Sequence, residues 1–297
     1  MGFVSLKYDF SFKNLMRNET VRRYFISDVL GISPEEIRSV RLANTFLWKR
    51  YFRQKLGILD VLLILNDESK INIELQIKIV KYWDRRILFY LAKMFTEDLL
   101  AGEKYGKLRK CISISILDFK VDNSAEYHRI YRLRDKAGNE FSEMFEVHIL
   151  ELCKKLDGEG PMDDWIRLIN AETEEEIDMI KTDNPGILTA IREIKLMNFG
   201  KGFRAMYEAH MKEVRDRNAR DEYVWDEGNA AGRTEGEVEK LISIVRKMSV
   251  KNMSAKVIAE MLGEEEALVT EICSLHYRYP DWETDRIYRE LKEKYNK

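Results

Sequence analysis

The chain has 297 residues, enough for one large domain or two ordinary ones. A formal net charge of −2 on 34% charged residues is uninformative overall, and a 45% hydrophobic share excludes wholesale disorder. No apolar run reaches membrane-span length, and Cys111, Cys153 and Cys273 form no CxxC pair, which argues against a zinc site or a disulfide framework.

In chain order, the first predicted element is helical. Phe10 to Met16 is followed by Val21, Tyr24, Phe25, Val29 and Leu30 at helical spacing, stopping near Gly31. Ser33-Pro34-Glu35-Glu36 opens a short helix or turn, and Ser39 to Trp48 reads as a strand. Next come Ile58 to Leu65, a polar turn at Asn66 to Lys70, and a strand alternating Ile71, Ile73, Leu75 and Ile77 against Asn72, Glu74 and Gln76. Tyr82 to Lys104 is a long amphipathic helix through Leu88, Leu91, Phe95 and Leu99. Cys111 to Leu117, His128 to Arg134 and Met144 to Leu150 are three more strands. This order predicts an α/β fold, a mixed sheet flanked by helices, over residues 1–156.

From Asp157 to Asp183 the composition turns acidic, and the ordinary explanation is a solvated helix face. A helical extension is expected over 157–230 and a small helical module over 231–297, with a hinge at Gly228 to Gly236, so the C-terminal region is all-α. Within that module Ser254 to Gly263 has helix-turn-helix spacing, but Glu264, Glu265, Glu266 and Glu271 make the following helix acidic. A groove-reading helix should not be acidic, so packing or self-association is the preferred role.

The segment Gly57 to Ile79 carries the chemistry, because Asp60 interrupts an otherwise apolar run. Strand side chains repeat every two residues, so Glu74 and Gln76 share a face roughly 7 Å apart. A symmetric turn pairs Leu65 with Ile71 and sets Asp60 opposite Gln76, with Glu74 diagonal to it. Burying such charge is costly unless it is paired or binds a cation, and a divalent metal is the obvious partner. A hairpin edge facing solvent is the competing explanation.

Asp60, a turn, and then Glu74-Leu75-Gln76 resemble the D-x(n)-(E/D)-x-K core of the PD-(D/E)XK nuclease superfamily. The match is nearest the recombination-promoting nuclease, or transposase-like, branch. It is carried by Asp9-Phe10-Ser11-Phe12-Lys13, Leu59-Asp60-Val61, Asn72 to Gln76, Arg85-Arg86 with Tyr90 and Lys93, and Ile114 to Phe119, in that order. The resemblance implies a PD-(D/E)XK-type sheet core and a hydrolase of DNA phosphodiesters, an endonuclease linked to recombination or mobile elements. It further implies Mg²⁺, with Mn²⁺ able to substitute, held by Asp60, Glu74 and the Leu75 carbonyl. Gln76 stands where the superfamily carries lysine; it keeps hydrogen-bonding capacity but loses a charge. Lys78, two residues on, is one compensating candidate. Asp9 and Lys13 are additional candidates, Asp9 being as well suited to capping the first helix and Lys13 to the open surface.

DNA is the expected partner. Arg38, Arg41, Lys49, Arg50, Arg53 and Lys55 cluster without an acid among Phe46, Trp48, Tyr51 and Phe52. Arg50, Arg53 and Lys55 there, and Arg85 and Arg86 on the helix after the site, are candidates for the phosphate backbone. Ordinary surface charge explains each equally well. The rival function is a catalytically weak or inactive nuclease-fold module that binds DNA or a protein without cutting. Double-strand cutting would call for a homodimer or higher oligomer. The start MGFVSLKYDF lacks a signal-peptide apolar run, and with the cysteine usage it points to a soluble cytoplasmic protein with no membrane association.

Overall fold

Alternating and continuous apolar runs place the strands, and the computed structural model gives their order. It describes the chain except for residues 1–2, 48–56, 67, 98, 157, 159 and 296–297. Arg50, Arg53 and Lys55, with Trp48, Lys49, Tyr51 and Phe52, therefore lie outside the described residues. Two helices open the chain, α1 (Asp9–Leu15) and α2 (Glu19–Leu30), where one was expected. They separate because Asn18 caps α2, its side chain accepting from the Val21 N–H at 3.3 Å. Gly31 ends α2 in the left-handed region at φ +65°.

The expected strand Ser39 to Trp48 is broken into β1 (Val40–Leu42) and β2 (Phe46–Leu47). Strand β2 pairs with β3 (Gly57–Ile58) in a separate ribbon. After β4 (Val61–Leu65) and β5 (Lys70–Gln76) comes α3 (Trp83–Thr96), shorter than predicted. Strands β6 (Cys111–Leu117), β7 (His128–Arg134) and β8 (Glu140–Glu151) complete a six-stranded sheet of order β1-β4-β5-β6-β8-β7. Strands β5, β6 and β8 run parallel, and the remaining pairings are antiparallel. Parallel central strands are buried on both faces, as the fully buried run Cys111 to Leu117 shows.

Four helices cover one face: α1, α2, α4 (Pro161–Asn170) and α6 (Pro185–Phe199), with the short α5 (Glu174–Asp178) between the last two. Phe25, Trp165, Ile187 and Ile194 there meet Val61, Leu63, Ile71, Ile73 and Ile114. Asp28 fastens the layer, accepting from Trp165 Nε1 at 2.7 Å and Asn184 Nδ2 at 2.8 Å. Helices α2 and α6 cross so closely at Gly186 that a Cβ there would run into the Tyr24 side chain. Helix α3 packs on the other face, where Leu91 and Met94 meet Leu59, Leu62 and Cys111.

The core thus continues well past Leu156, and the chain divides into compact units Met1–Met211 and Lys212–Lys297. The expected boundaries at 156 and 230 do not coincide with that division. Helix α7 (Lys201–Ser249) runs unbroken through Gly228, Gly232 and Gly236, where a hinge was expected. In the second unit α8 (Ala255–Leu262), α9 (Glu266–Arg278) and α10 (Thr284–Tyr295) share a small core of Ile242, Val245, Ile258, Val269, Ile272, Ile287 and Leu291. No helix among the described residues is long and apolar enough to cross a membrane.

Candidate metal centre

The β4–β5 hairpin sets the geometry. Its register is Val61↔Ile73, Leu62↔Asn72, Leu63↔Ile71 and Ile64↔Lys70. One step beyond the ladder this register carries Asp60 to a position opposite Glu74, and not opposite Gln76 as a symmetric five-residue turn predicted. The turn is shorter because Lys70 already belongs to β5. Its side chain is buried, with Nζ donating to the Met94 carbonyl at 3.0 Å, so a residue that reads as turn chemistry is a strand residue. Asp60 lies in the bend between β3 and β4 and is one-third exposed.

Alternation puts Glu74 on the α3 face, since Ile73 faces the four-helix layer, while Asp60 precedes β4 in a bend that Lys13 of α1 reaches. The Gln76 carbonyl accepts the Asp118 N–H at 2.9 Å toward β6. Strand carbonyls alternate sides, so that of Leu75 points the other way, past the end of β4. Asp60 and Glu74 thus lie within electrostatic reach of each other where the antiparallel hairpin runs out.

Glu74 is only 4% exposed, and both its oxygens are engaged. Asn72 Nδ2 donates to Oε1 at 3.2 Å and Arg86 to Oε2 at 2.9 Å. Burial pushes its pKa up, the Arg86 guanidinium pulls it down, and the Asp60 charge pushes it up again; the net shift is upward. Asp60 Oδ1 pairs with Lys13 Nζ at 3.3 Å. Lys13 also reaches Asp9 Oδ2 at 3.3 Å, and Asp9 Oδ1 meets His210 Nε2 at 3.1 Å. Burial lowers the Lys13 pKa, but the Asp60 and Asp9 charges outweigh it and the ammonium is favoured.

Arg86 enters from the first turn of α3, behind Tyr82, a non-glycine residue at φ +62°. That conformation is strained by about 1 kcal/mol or more, and the Lys81 and Arg85 side chains lie over the Tyr82 ring at 5.1 and 4.8 Å. Tyr90, one turn beyond Arg86, has its phenol pKa raised by burial and by the Glu74 charge. On the sheet side, Ser115 lies beside Glu74 and Ser113 beside Asn72. Both serine hydroxyls, Asn72 Oδ1 and Arg86 Nε are buried without a hydrogen-bond partner among the described residues.

Several expectations are corrected. Arg86 pairs with Glu74 while staying one-third exposed, and Arg85 is exposed. Asp9 does not cap α1; Tyr8 is the N-cap and Asp9 holds Lys13 and His210. Strand β5 ends at Gln76, so Lys78 is exposed beyond it and the alternation does not carry it into the site. Gln76 itself is half-buried at the strand end. Period-two alternation already set Asn72 on the Glu74 face, but sequence reasoning missed Ser115, which the alternation of a second buried strand marks. Nothing in the sequence pointed to His210, which arrives from α7 some two hundred residues after Asp9.

The donor set fits a hard divalent cation, which takes oxygen ligands and keeps several waters. Among the described residues no group of three or more His, Cys, Asp or Glu is gathered as a cage, so Asp60 and Glu74 stand as a pair. A mixed sheet between helical layers, with a buried glutamate and a part-exposed aspartate at one end, is consistent with a nuclease-type fold. A model of the PD-(D/E)XK nuclease family transposases matches residues 6–223, and the chain belongs to that family. The match runs past Leu156 through α4, α5 and α6 into α7, in keeping with the continuous core. No curated protein and no solved structure matches the chain. The family carries a nuclease-like or transposase-related function, implies DNA as substrate, and generally uses divalent metals.

Proposed function

We propose that the protein is a Mg²⁺-dependent DNA endonuclease whose cutting serves recombination or element mobility, with Mn²⁺ able to replace Mg²⁺. Asp60, Glu74 and the Leu75 carbonyl would hold the ion. A bound divalent cation offsets charge on the scissile phosphate and makes water a better nucleophile at neutral pH. Gln76 orients water or a phosphate oxygen by hydrogen bonding. Asn72 and Arg86 fix the Glu74 carboxylate, and Lys13 fixes that of Asp60. The exposed Arg85 faces phosphate from the helix beside the site, and Arg50, Arg53 and Lys55 supply further backbone contacts. Two copies acting together would give double-strand breaks, and the reducing cytoplasm is the proposed place of action.

One observation carries this reading. Glu74 is buried within electrostatic reach of the Asp60 carboxylate, and such a pair of acids is what a divalent ion would offset. The pairing of Glu74 with Arg86, and glutamine in place of lysine at position 76, favour a second reading, a nuclease-fold module that binds without cutting. Supercoiled plasmid with Mg²⁺ separates the two. The proposal expects nicking or linearisation by the natural chain and none by Asp60→Asn. Retarded but intact plasmid with both proteins would support the second.

A further inference from the structure

The two carboxylates of the candidate centre are each held by a cation from a different helix. Lys13 comes from α1 to Asp60 at 3.3 Å, and Arg86 from α3 to Glu74 at 2.9 Å. Both cations are about one-third exposed, so each keeps a route to solvent while touching its acid. Lys13 is shared with Asp9, and Asp9 is held in turn by His210, whose ring stacks on Phe10 at 5.5 Å.

The charges of this group have a consequence for binding. Three carboxylates (Asp9, Asp60, Glu74) against two cations leave one net negative charge, and a divalent ion reverses it to one net positive. Asp60 and Glu74 cannot turn fully to the ion while Lys13 and Arg86 occupy their oxygens. A polyanion beside the site removes both obstacles, since its phosphates accept the two cations and offset the excess positive charge. Arg86 suits this exchange, because a guanidinium binds carboxylate or phosphate with the same fork.

We infer that Lys13 and Arg86 are exchange cations, which hold Asp60 and Glu74 in the free protein and pass to DNA phosphates when the divalent ion takes the carboxylates. This rests on the metal-centre reading above and adds to it that metal and DNA binding are coupled. Coupling is reciprocal, so each ligand raises affinity for the other by the same factor. The device keeps the centre poorly loaded until DNA is present. Lys13 and Arg86 thereby act as positioning residues for the carboxylates and as phosphate ligands afterwards.

Calorimetric titration of the full chain with Ca²⁺, a hard oxygen-seeking probe, with and without a saturating short DNA duplex, tests this. The natural chain should bind Ca²⁺ about tenfold or more tightly when DNA is present. Arg86→Met and Lys13→Met should bind Ca²⁺ more tightly than the natural chain without DNA, and lose most of the gain with it. Arg86→Lys should restore part of the coupling. Equal Ca²⁺ affinity with and without DNA overturns the exchange while leaving the metal centre standing, as does weaker Ca²⁺ binding in both methionine variants. No Ca²⁺ binding under either condition overturns both. Lys13 is partly exposed, so Lys13→Met keeps the test intact if the Arg86 variant fails to fold.

Discussion

Two glutamates buried in the same sheet have opposite fates. Glu74 on β5 is 4% exposed and Glu146 on β8 is 3% exposed, and burial pushes the pKa of both upward, the more so for Glu74, which lies deeper in the protein. Around Glu146 stand Lys110 at 2.9 Å, Arg132 at 3.2 Å and His148 Nε2 at 2.7 Å, and His148 is backed by His128 at 2.9 Å. Burial pushes the Glu146 pKa up, but the His148, Arg132 and Lys110 partners overwhelm it and hold the carboxyl well below the usual range. Glu74 has one guanidinium among the described residues and Asp60 beside it, and its pKa goes up. The difference separates a carboxylate that completes the fold from one left short of positive charge. The proposed metal centre is built on the second.

The widest separation should come from removing each charge. Glu74→Gln should abolish metal-dependent cleavage, by about a thousandfold or about 4 kcal/mol, while leaving unfolding stability within about 1 kcal/mol. The matching Glu146→Gln should cost about 3 kcal/mol of stability in denaturant titration, because it leaves Lys110 and Arg132 facing a neutral group in a buried network, yet spare cleavage by the folded protein. A reversed pattern, with Glu74→Gln unfolding and Glu146→Gln losing cleavage, would break the comparison.

A smaller effect concerns pH. His128 is held near a pKa of about 4, below its ordinary 6.5, by burial and by the neighbouring His148. Its folded pKa is depressed, so the stability it contributes is complete above pH 6.5 and lost as pH falls toward about 4. The loss should amount to about 2 kcal/mol after allowance for partial exposure, and His128→Phe should flatten that stretch of the stability curve. Glu74 has the opposite sign. Its raised pKa stabilises the fold at low pH and ceases to do so as pH rises through the folded value, so Glu74→Gln should gain on the natural chain toward neutrality. The least effect belongs to Lys78→Ala, which should change DNA affinity by less than about threefold in a gel-shift titration, since the residue is exposed past the strand end.

Much of the site was legible in the sequence. Period-two alternation in β5 placed Asn72, Glu74 and Gln76 on one face, as the registers confirm. The hairpin pairing was misread because Lys70 looks like a turn residue and is a buried strand residue tied to α3. The helical layer was misread for a related reason. The acidic composition after Asp157 hid the buried face of α4, whose Trp165, Ile166, Leu168 and Ile169 are core residues. The Asp9–His210 contact depends on helix packing across the unit's whole length, and no local pattern encodes it.

Mn²⁺ binding to the full chain, followed by electron paramagnetic resonance at a temperature where circular dichroism shows every variant folded, puts the central claim to its most direct test. The account predicts a bound-Mn²⁺ signal in the natural chain and in Glu146→Gln, and its loss in Glu74→Gln. An undiminished signal in Glu74→Gln, or its disappearance only in Glu146→Gln, would contradict it.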